Sequence, residues 1–439
     1  MSPRRVALAT LGCRLNQSEG FSILQQLLRC GFEVCPFAPG ADLYIVNTCT
    51  VTGRSDYKSR QMIRRALSMV PPRGLVVVTG CYSQLHPQRV AELGAHVVTG
   101  NVEKPSLHRI VLSAVEGEVS LPLVRVGPVM EQRCFQTLEV DHFFGHSRAF
   151  LKVQDGCDHS CAYCTVWRAR GPARSAPAPW VLQQVQRVAE AGYREVVLTG
   201  INLGAYHWED TDLVGLLRLL LEKGGMDRIR LSSVEPTEVG EELVALLSEV
   251  SRSEPGICPH LHIPLQSGSD RVLSLMGRRY DARYFEALAD RLFSRIDDLF
   301  LGVDVMVGFP TETEEEFQLT YALLSRLPVA GMHIFSYSPR PGTKASSLPQ
   351  VSPEEKRNRY ARLQGLKRVK QEAFARGFLG RRVPVLVEGR RDGPSGLTRG
   401  LSISYLPVLV DGDSLQKGRY YEVRVTGMDR GMLVGQVAK

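Results

Sequence analysis

The residues whose spacing points most directly to chemistry are cysteines. Cys157, Cys161 and Cys164 fall in the stretch GCDHSCAYC with a C-x3-C-x2-C spacing. Thiolates set this close together are ligands for a soft metal centre. Three of them can hold three irons of a four-iron cube and leave the fourth iron open to a small molecule. A structural zinc site is the alternative. It needs a fourth Cys or His nearby, and His159, inside the loop, is the residue available. A second set is dispersed. Cys13, Cys49 and Cys81 each end an apolar run, VALATLGC, LYIVNTC and LVVVTGC. One cysteine at a strand end is more often core than ligand. Three at equivalent positions read as a second three-thiolate site. Cys30, Cys35, Cys134 and Cys258 lack this context and read as structural.

For the dispersed thiols to meet, the chain between them must bring each run back to one sheet edge. Residues 1–115 alternate β-branched runs with amphipathic stretches such as SEGFSILQQLLRCG and SDYKSRQMIRRALSMV, and AHVVTGN is a fourth run without cysteine. That pattern predicts a parallel, Rossmann-like α/β sheet with its ligand site beyond the carboxyl ends of the strands. Residues 116–147 read as a linker. Residues 148–375 repeat the strand–helix pattern through AFLKVQDG, REVVLTG, RIRLSSVEP, HLHIPLQSG, FLGVDVMVGFP and GMHIFSYSP. Six such units predict a partial (β/α)6 barrel with its site at the C-terminal strand ends, and the cysteine triplet follows the first strand. TETEEEF has helix N-cap spacing, Thr311 with Glu314. PEEKRNRYARLQGLKRVKQEAFARG reads as one long charged helix. Residues 376–439, with strand-like runs between Gly-rich turns, read as a small antiparallel β-barrel.

Composition sets the class. With 439 residues, 44% hydrophobic and 23% charged, the chain is an ordinary globular protein of several domains. No apolar run approaches the roughly 20 residues that span a bilayer, and MSPRRVALATLGC is too short in its apolar part for a signal peptide. The expectation is a cytoplasmic protein without a membrane partner, whose ten cysteines serve metal or redox chemistry rather than disulfides. Of the net charge of +8, residues 376–439 carry +5, from 11 Lys+Arg and 6 Asp+Glu. A basic terminal module fits a polyanion such as nucleic acid; on charge alone a solvated surface fits equally well. Arg60, Arg64 and Arg65 share one helix beside the second cysteine strand, again as phosphate contacts or as a solvated face.

Nine motifs in order, TLGCRLNQSE, NTCTVTGRSDYKSRQMIRR, VVTGCYSQ, KVQDGCDHSCAYC, VVLTGINLGAY, LSSVEP, HLHIPLQSGSDRVL, DVMVGFPTETEEEF and FSYSPRPGTKA, resemble the radical S-adenosylmethionine (SAM) methylthiotransferases over nearly the whole chain. TLGCRLN, NTCTVT and KSRQMIRR resemble most the branch that modifies N6-threonylcarbamoyladenosine in tRNA. The resemblance implies two 4Fe-4S clusters. Cys157, Cys161 and Cys164 would bind the first, whose open iron chelates SAM for one-electron cleavage to a 5′-deoxyadenosyl radical that takes hydrogen from C2 of the adenine. Cys13, Cys49 and Cys81 would bind the second, which carries the sulfur that a second SAM methylates. The resemblance also implies SAM contacts at the strand ends: Gly200, Asn202, Ser233, Glu235, Gln266 and Gly308. Each of these, taken alone, fits a turn role as well. The tail resembles the TRAM domain, a small RNA-binding barrel, with Arg376, Arg381, Arg382, Arg390 and Arg391 leading into it. The implied partners are the tRNA anticodon stem-loop and an electron donor that the sequence does not specify.

Two positions depart from the family pattern beside the cluster loop: Trp167 stands where a proline is usual, and Ala176 where an arginine is usual. Three other functions share much of this sequence logic: methylthiolation of isopentenyladenosine, methylthiolation of a ribosomal protein, and a non-catalytic iron–sulfur RNA-binding module acting as a redox sensor.

Overall fold

The computed structural model describes residues 4–438. The three cysteine-ending runs become β1 (Arg5–Thr10), β2 (Leu43–Thr48) and β3 (Leu75–Gly80), paired in parallel with Leu8 beside Ile45 and Val46 beside Val78. β4 (Val97–Thr99) and β5 (Leu123–Arg125) extend the sheet beyond β3, and a two-residue strand, Glu33–Val34, lies outside β1. The sheet therefore has six strands where the sequence predicts four. β5 comes from the segment read as a linker. Three residues after a proline carry no periodic signal of their own, and parallel pairing with β4 makes them a strand. All six residues of β2 are buried, as expected of a parallel sheet covered on both faces. Ile23, Leu24 and Leu27 of helix α1 (Arg14–Arg29) pack on one face with Ile45 and Val77. Ile63 and Ala66 of helix α2 (Gly53–Met69) pack on the other with Tyr44 and Val78.

The six predicted barrel strands all form: β6 (Ala149–Lys152), β7 (Glu195–Thr199), β8 (Arg228–Leu231), β9 (His260–Gln266), β10 (Phe300–Val307) and β11 (Gly331–Ser336). Their hydrogen bonds divide them into β6-β7-β8 and β9-β10-β11. Arg228 and Ile229 of β8 pair with a short strand at Gly256–Ile257, so β9 joins this side only past the end of β8, where Ser233 bridges His262. Helix α3 (Glu314–Arg326) is capped by Thr313 with Glu316, two residues later than the predicted Thr311 and Glu314. Both pairs have the right spacing. Thr311 instead takes a left-handed φ of 66°, and Arg271 holds its carbonyl at 2.6 Å and Glu316 at 2.7 Å. The charged helix α4 (Pro353–Arg376) leads to the tail.

The tail is a closed barrel of β12 (Arg382–Arg391), β13 (Thr398–Ser402), β14 (Pro407–Asp411), β15 (Tyr420–Asp429) and β16 (Met432–Val437), in the order β12-β13-β14-β16-β15. All neighbours are antiparallel except β14 and β16. An odd number of strands cannot close with every neighbour antiparallel, so the wholly antiparallel expectation is corrected at that pair. Val385, Val408, Val423 and Leu433 fill the interior. Among the described residues no helix is long and apolar enough to cross a membrane.

Candidate active site

The N-terminal thiols meet at the carboxyl edge of β1, β2 and β3. Gly12 permits it: its φ is +97°, and a Cβ there would lie 2.8 Å from the Cβ and Sγ of Cys49. Cys49 and Cys81 are buried, and both Cys13 and Cys49 line a cavity. Burial raises the Cys13 thiol, and neighbouring Cys81 pushes it the same way. Burial also lifts Cys49 to about 11, with Cys81 and Cys13 adding to the shift. Such thiols keep their protons at neutral pH until a metal displaces them.

The triplet loop turns back on itself where the Cys157 N–H donates to the Gly171 carbonyl at 3.1 Å. Donors converge on its sulfurs: His159 N–H on Cys157 (3.4 Å), Val166 N–H on Cys164 (3.3 Å) and the Arg278 guanidinium on Cys161 (3.4 Å). Burial lifts Cys157 to about 12 and Cys164 to about 11, while these N–H groups favour the thiolates. Donors aimed at sulfur are what a metal–thiolate centre requires around it. The His159 ring lies 3.9 Å from the Glu238 carboxylate. At Trp167 the backbone N–H, which a proline lacks, also favours the Cys164 thiolate. Ala176 is fully buried in the barrel core, its carbonyl accepting the Tyr206 hydroxyl at 2.8 Å.

The two thiol sets adjoin. Thr165, next to Cys164, donates its hydroxyl to the carbonyl of Thr50, next to Cys49, at 3.4 Å. Arg170, fully buried, donates Nε to Cys81 Sγ at 3.3 Å and a terminal nitrogen to Glu19 at 2.6 Å, and it also bonds Asn16. Glu19 further pairs with Lys104 and Lys152. Burial alone would raise the Glu19 carboxyl, but Arg170, Lys104 and Lys152 hold it well below the usual carboxylate range. A second arginine, Arg340, reaches across from the loop after β11 to Asp56 and the Thr50 hydroxyl, both at 2.6 Å. Sequence reasoning missed this network. Its trace was Glu19 lying in line with Leu15 and Ile23, an acid at helical spacing within an apolar stripe.

The strand-end residues divide. Asn202 donates Nδ2 to Glu238 at 2.7 Å and its N–H to Gln154 at 2.8 Å, while a Cβ at Gly200 would press on that same Gln154 oxygen. Glu235 pairs with Arg278 at 2.7 Å, the same guanidinium that reaches Cys161. Asn202 Oδ1, Glu238 Oε2 and Gln266 Oε1 are buried with no hydrogen-bond partner among the described residues. Burial raises Glu238 to about 6. Orphaned acceptors near the triplet fit a ligand that brings its own donors, such as an ammonium group. Gly308 is held differently. Its N–H donates to Glu312 at 2.7 Å, and a Cβ there would strike the side chain of Lys356 on α4. Ser233 lines the cavity.

That cavity, about 1690 Å³, runs from Cys13 and Cys49 past Ser233 through the barrel interior to Tyr405 and Arg430 of the tail. His262, Asp304 and His333, from three adjacent strands, form a polar patch on its wall, with His262 Nε2 2.9 Å from Asp304. These three were also missed; each is one polar residue within a strand that packs a barrel. Of the α2 arginines, Arg60 stacks on Tyr82 and donates to its hydroxyl, Arg65 donates to the Phe37 carbonyl, and Arg64 is exposed. Arg376 pairs with Glu372 and Arg381 with Asp298, whereas Arg382, Arg390 and Arg391 are exposed on the tail barrel. Cys258 is buried 3.9 Å from Glu195, away from both thiol sets.

Comparison with known proteins gives two matched regions. Residues 151–324 match the Radical SAM superfamily and residues 5–100 match a family described as Uncharacterized protein family UPF0004. The chain is 40% identical to the threonylcarbamoyladenosine tRNA methylthiotransferase MtaB of Aquifex aeolicus, covering 87% of this chain and 92% of that one. It is 35% identical to the Bacillus subtilis protein of the same name, covering 96% and 93%. A tRNA-2-methylthio-N(6)-dimethylallyladenosine synthase of Thermotoga petrophila is 31% identical, covering 99% and 97%. Among solved structures, the radical S-adenosylmethionine methyltransferase TsrM of Kitasatospora setae shares the fold, with a TM-score of 0.56 at 17% identity, covering 78% and 77%.

Proposed function

The chain belongs to the radical SAM tRNA methylthiotransferases, and on that premise we propose that it adds a methylthio group to C2 of N6-threonylcarbamoyladenosine beside the tRNA anticodon. The observation that carries this reading is the meeting of two three-thiolate sets at one domain joint, with Cys13 and Cys49 opening onto a cavity large enough for a nucleotide. In this reading Cys157, Cys161 and Cys164 hold one 4Fe-4S cluster, and Cys13, Cys49 and Cys81 hold another. Those clusters with two molecules of SAM, one a radical source and one a methyl donor, supply the bond-breaking and sulfur-transfer chemistry.

The protein's share is to bind, orient and shield. Arg278 and the N–H groups of His159 and Val166 keep negative charge on the triplet sulfurs. Asn202, Glu238 and Gln266 offer the acceptors for the SAM ammonium. Arg170 fixes Cys81 against the central barrel. The lumen surrounds the target base and keeps water from it. The tail barrel, with Arg382, Arg390 and Arg391 exposed, takes the RNA backbone, and a separate electron donor completes the system in the cytoplasm.

The test is nucleoside mass spectrometry of total tRNA from a deletion strain and its complemented partner. Loss of methylthio-threonylcarbamoyladenosine in the deletion alone, with accumulation of the unmodified precursor, is the expected result. An unchanged nucleoside in a strain with no second such enzyme sinks the substrate assignment and moves the search to isopentenyladenosine and ribosomal proteins.

A further inference from the structure

The cavity wall beside Cys13 carries a cation without a counter-ion among the described residues. Arg14 follows Cys13, opens α1 and lines the cavity. It is half-buried, and its guanidinium lies over the Phe150 ring, 4.8 Å from the centroid. Its side-chain hydrogen bond goes to a neutral acceptor, the Gln17 amide oxygen, at 3.0 Å. Among the described residues no carboxylate pairs with it. Four other cavity arginines are paired: Arg148 with Glu195 and Glu388, Arg230 with Glu195, Arg376 with Glu372, and Arg430 with Asp392 and Asp429. Among the described residues Lys367 and Arg368 also lack acidic partners, but they stand on α4 rather than next to a thiol.

The surroundings strengthen the positive potential. Arg14 sits in the first turn of a 16-residue helix with no acid in that turn, so the helix dipole adds to its charge. Nearby His146 is held at about 4 by burial and then by Arg14, Arg148, Arg390 and Lys417. With one terminal nitrogen given to Gln17, the guanidinium over the ring keeps further N–H donors for a ligand. A guanidinium is shaped for two parallel hydrogen bonds to a planar carboxylate.

The threonylcarbamoyl group ends in such a carboxylate, whereas an isopentenyl group and an unmodified adenine amine carry none. We infer that Arg14 binds the threonyl carboxylate of the target nucleoside and thereby selects it over purines with an uncharged N6 substituent. This role rests on the proposed function and names the residue that reads the substrate there. Anchored beside Cys13, the carboxylate orients the adenine towards the N-terminal thiols.

The experiment uses the anaerobically reconstituted full-length holoenzyme and three anticodon stem-loop RNAs. They differ only at N6 of the target adenosine, which carries threonylcarbamoyl, the same group with its carboxylate converted to a carboxamide, or nothing. Affinity is read by fluorescence anisotropy and product by mass spectrometry. Wild type is expected to bind the carboxylate RNA on the order of 10-fold more tightly than the carboxamide RNA. Arg14→Gln is expected to bind the two equally, with unchanged iron and sulfide content. Arg14→Lys keeps the charge without the fork and is expected to recover part of the preference. It decides the matter should the glutamine variant lose iron.

A wild type without preference, or an Arg14→Gln enzyme that keeps it, overturns the role of Arg14. Methylthio product formed on both modified RNAs by a wild type of equal affinities overturns that role alone and leaves the proposed function standing. A wild type that yields no methylthio product on any of these RNAs overturns the proposed function, while the affinities still decide for or against Arg14.

Discussion

Arg170 ties the two thiol sets together through side-chain contacts alone. Its partners Glu19 and Asn16 stand 151 and 154 residues earlier in the chain, and its Nε faces Cys81. Replacing it with methionine leaves Glu19 only its lysines and strips Cys81 of its charged donor. Breaking a buried ion pair from one side costs about 3–5 kcal/mol, and loss of a hydrogen bond supporting a metal ligand weakens metal binding by about 10–100-fold. Arg170→Met is therefore expected to melt lower and to lose iron to a chelator faster than wild type. Equal iron retention in the two proteins would show that Arg170 does not support the Cys81 side. At this scale the six cysteines were legible because their spacing and strand-end positions are local facts. Glu19, Lys104 and Arg278 were not, since each has its meaning only through partners far away in sequence.

At the level of elements, the triplet depends on how its loop leaves β6. Gly156 precedes Cys157 with φ of +74°, and a Cβ there would run into the carbonyl of Pro172. Gly156→Ala is expected to add about 1–3 kcal/mol of backbone strain and to push Cys157 off the Gly171 carbonyl. The readout is 5′-deoxyadenosine formed from SAM under strong reduction, expected to fall sharply; a wild-type yield would mean that the loop absorbs the methyl group. Strand and helix identities were readable because period and turn residues announce them. The exceptions had particular causes. β5 has too few residues to show a period. Thr311 and Thr313 offer the same cap spacing, and the contacts of Arg271 decide between them. The parallel pair of β14 and β16 follows from closing five strands, a property of the ring rather than of either strand.

Across the whole molecule, one buried pair fastens the tail barrel to the central one. Arg230 of β8 grips Glu195 of β7 at 2.7 Å and donates to the tail carbonyls of Ile403 and Ser402 at 3.0 and 3.3 Å. The Tyr420 hydroxyl of the tail donates to Glu195 at 2.6 Å. Burial alone would raise the Glu195 carboxyl, but Arg230 prevails and holds it at about 2, against 4.5 for the free group. On acidification the unfolded chain takes up this proton near 4.5 and the folded protein only near 2. The stabilisation is thus complete above about 4.5 and is lost as pH falls from there towards about 2. Amide exchange in the tail barrel is expected to speed up across that window ahead of exchange in β2. Tail protection that stays level with β2 throughout would remove the pair from this role.

By itself the sequence determined the two groupings of cysteines, the two α/β series, the tail barrel and the family. Each of these is written in spacings of a few residues or in motifs read in order. Only the tertiary structure decided that the two thiol sets adjoin, that Arg170 and Arg340 cross between them, that a cavity runs from Cys13 to the tail, and that Arg14 faces it without a counter-ion among the described residues. The physical reason is the same throughout. A charge or an orphaned acceptor is defined by what surrounds it in space, and those surroundings are assembled from segments 100 or more residues apart.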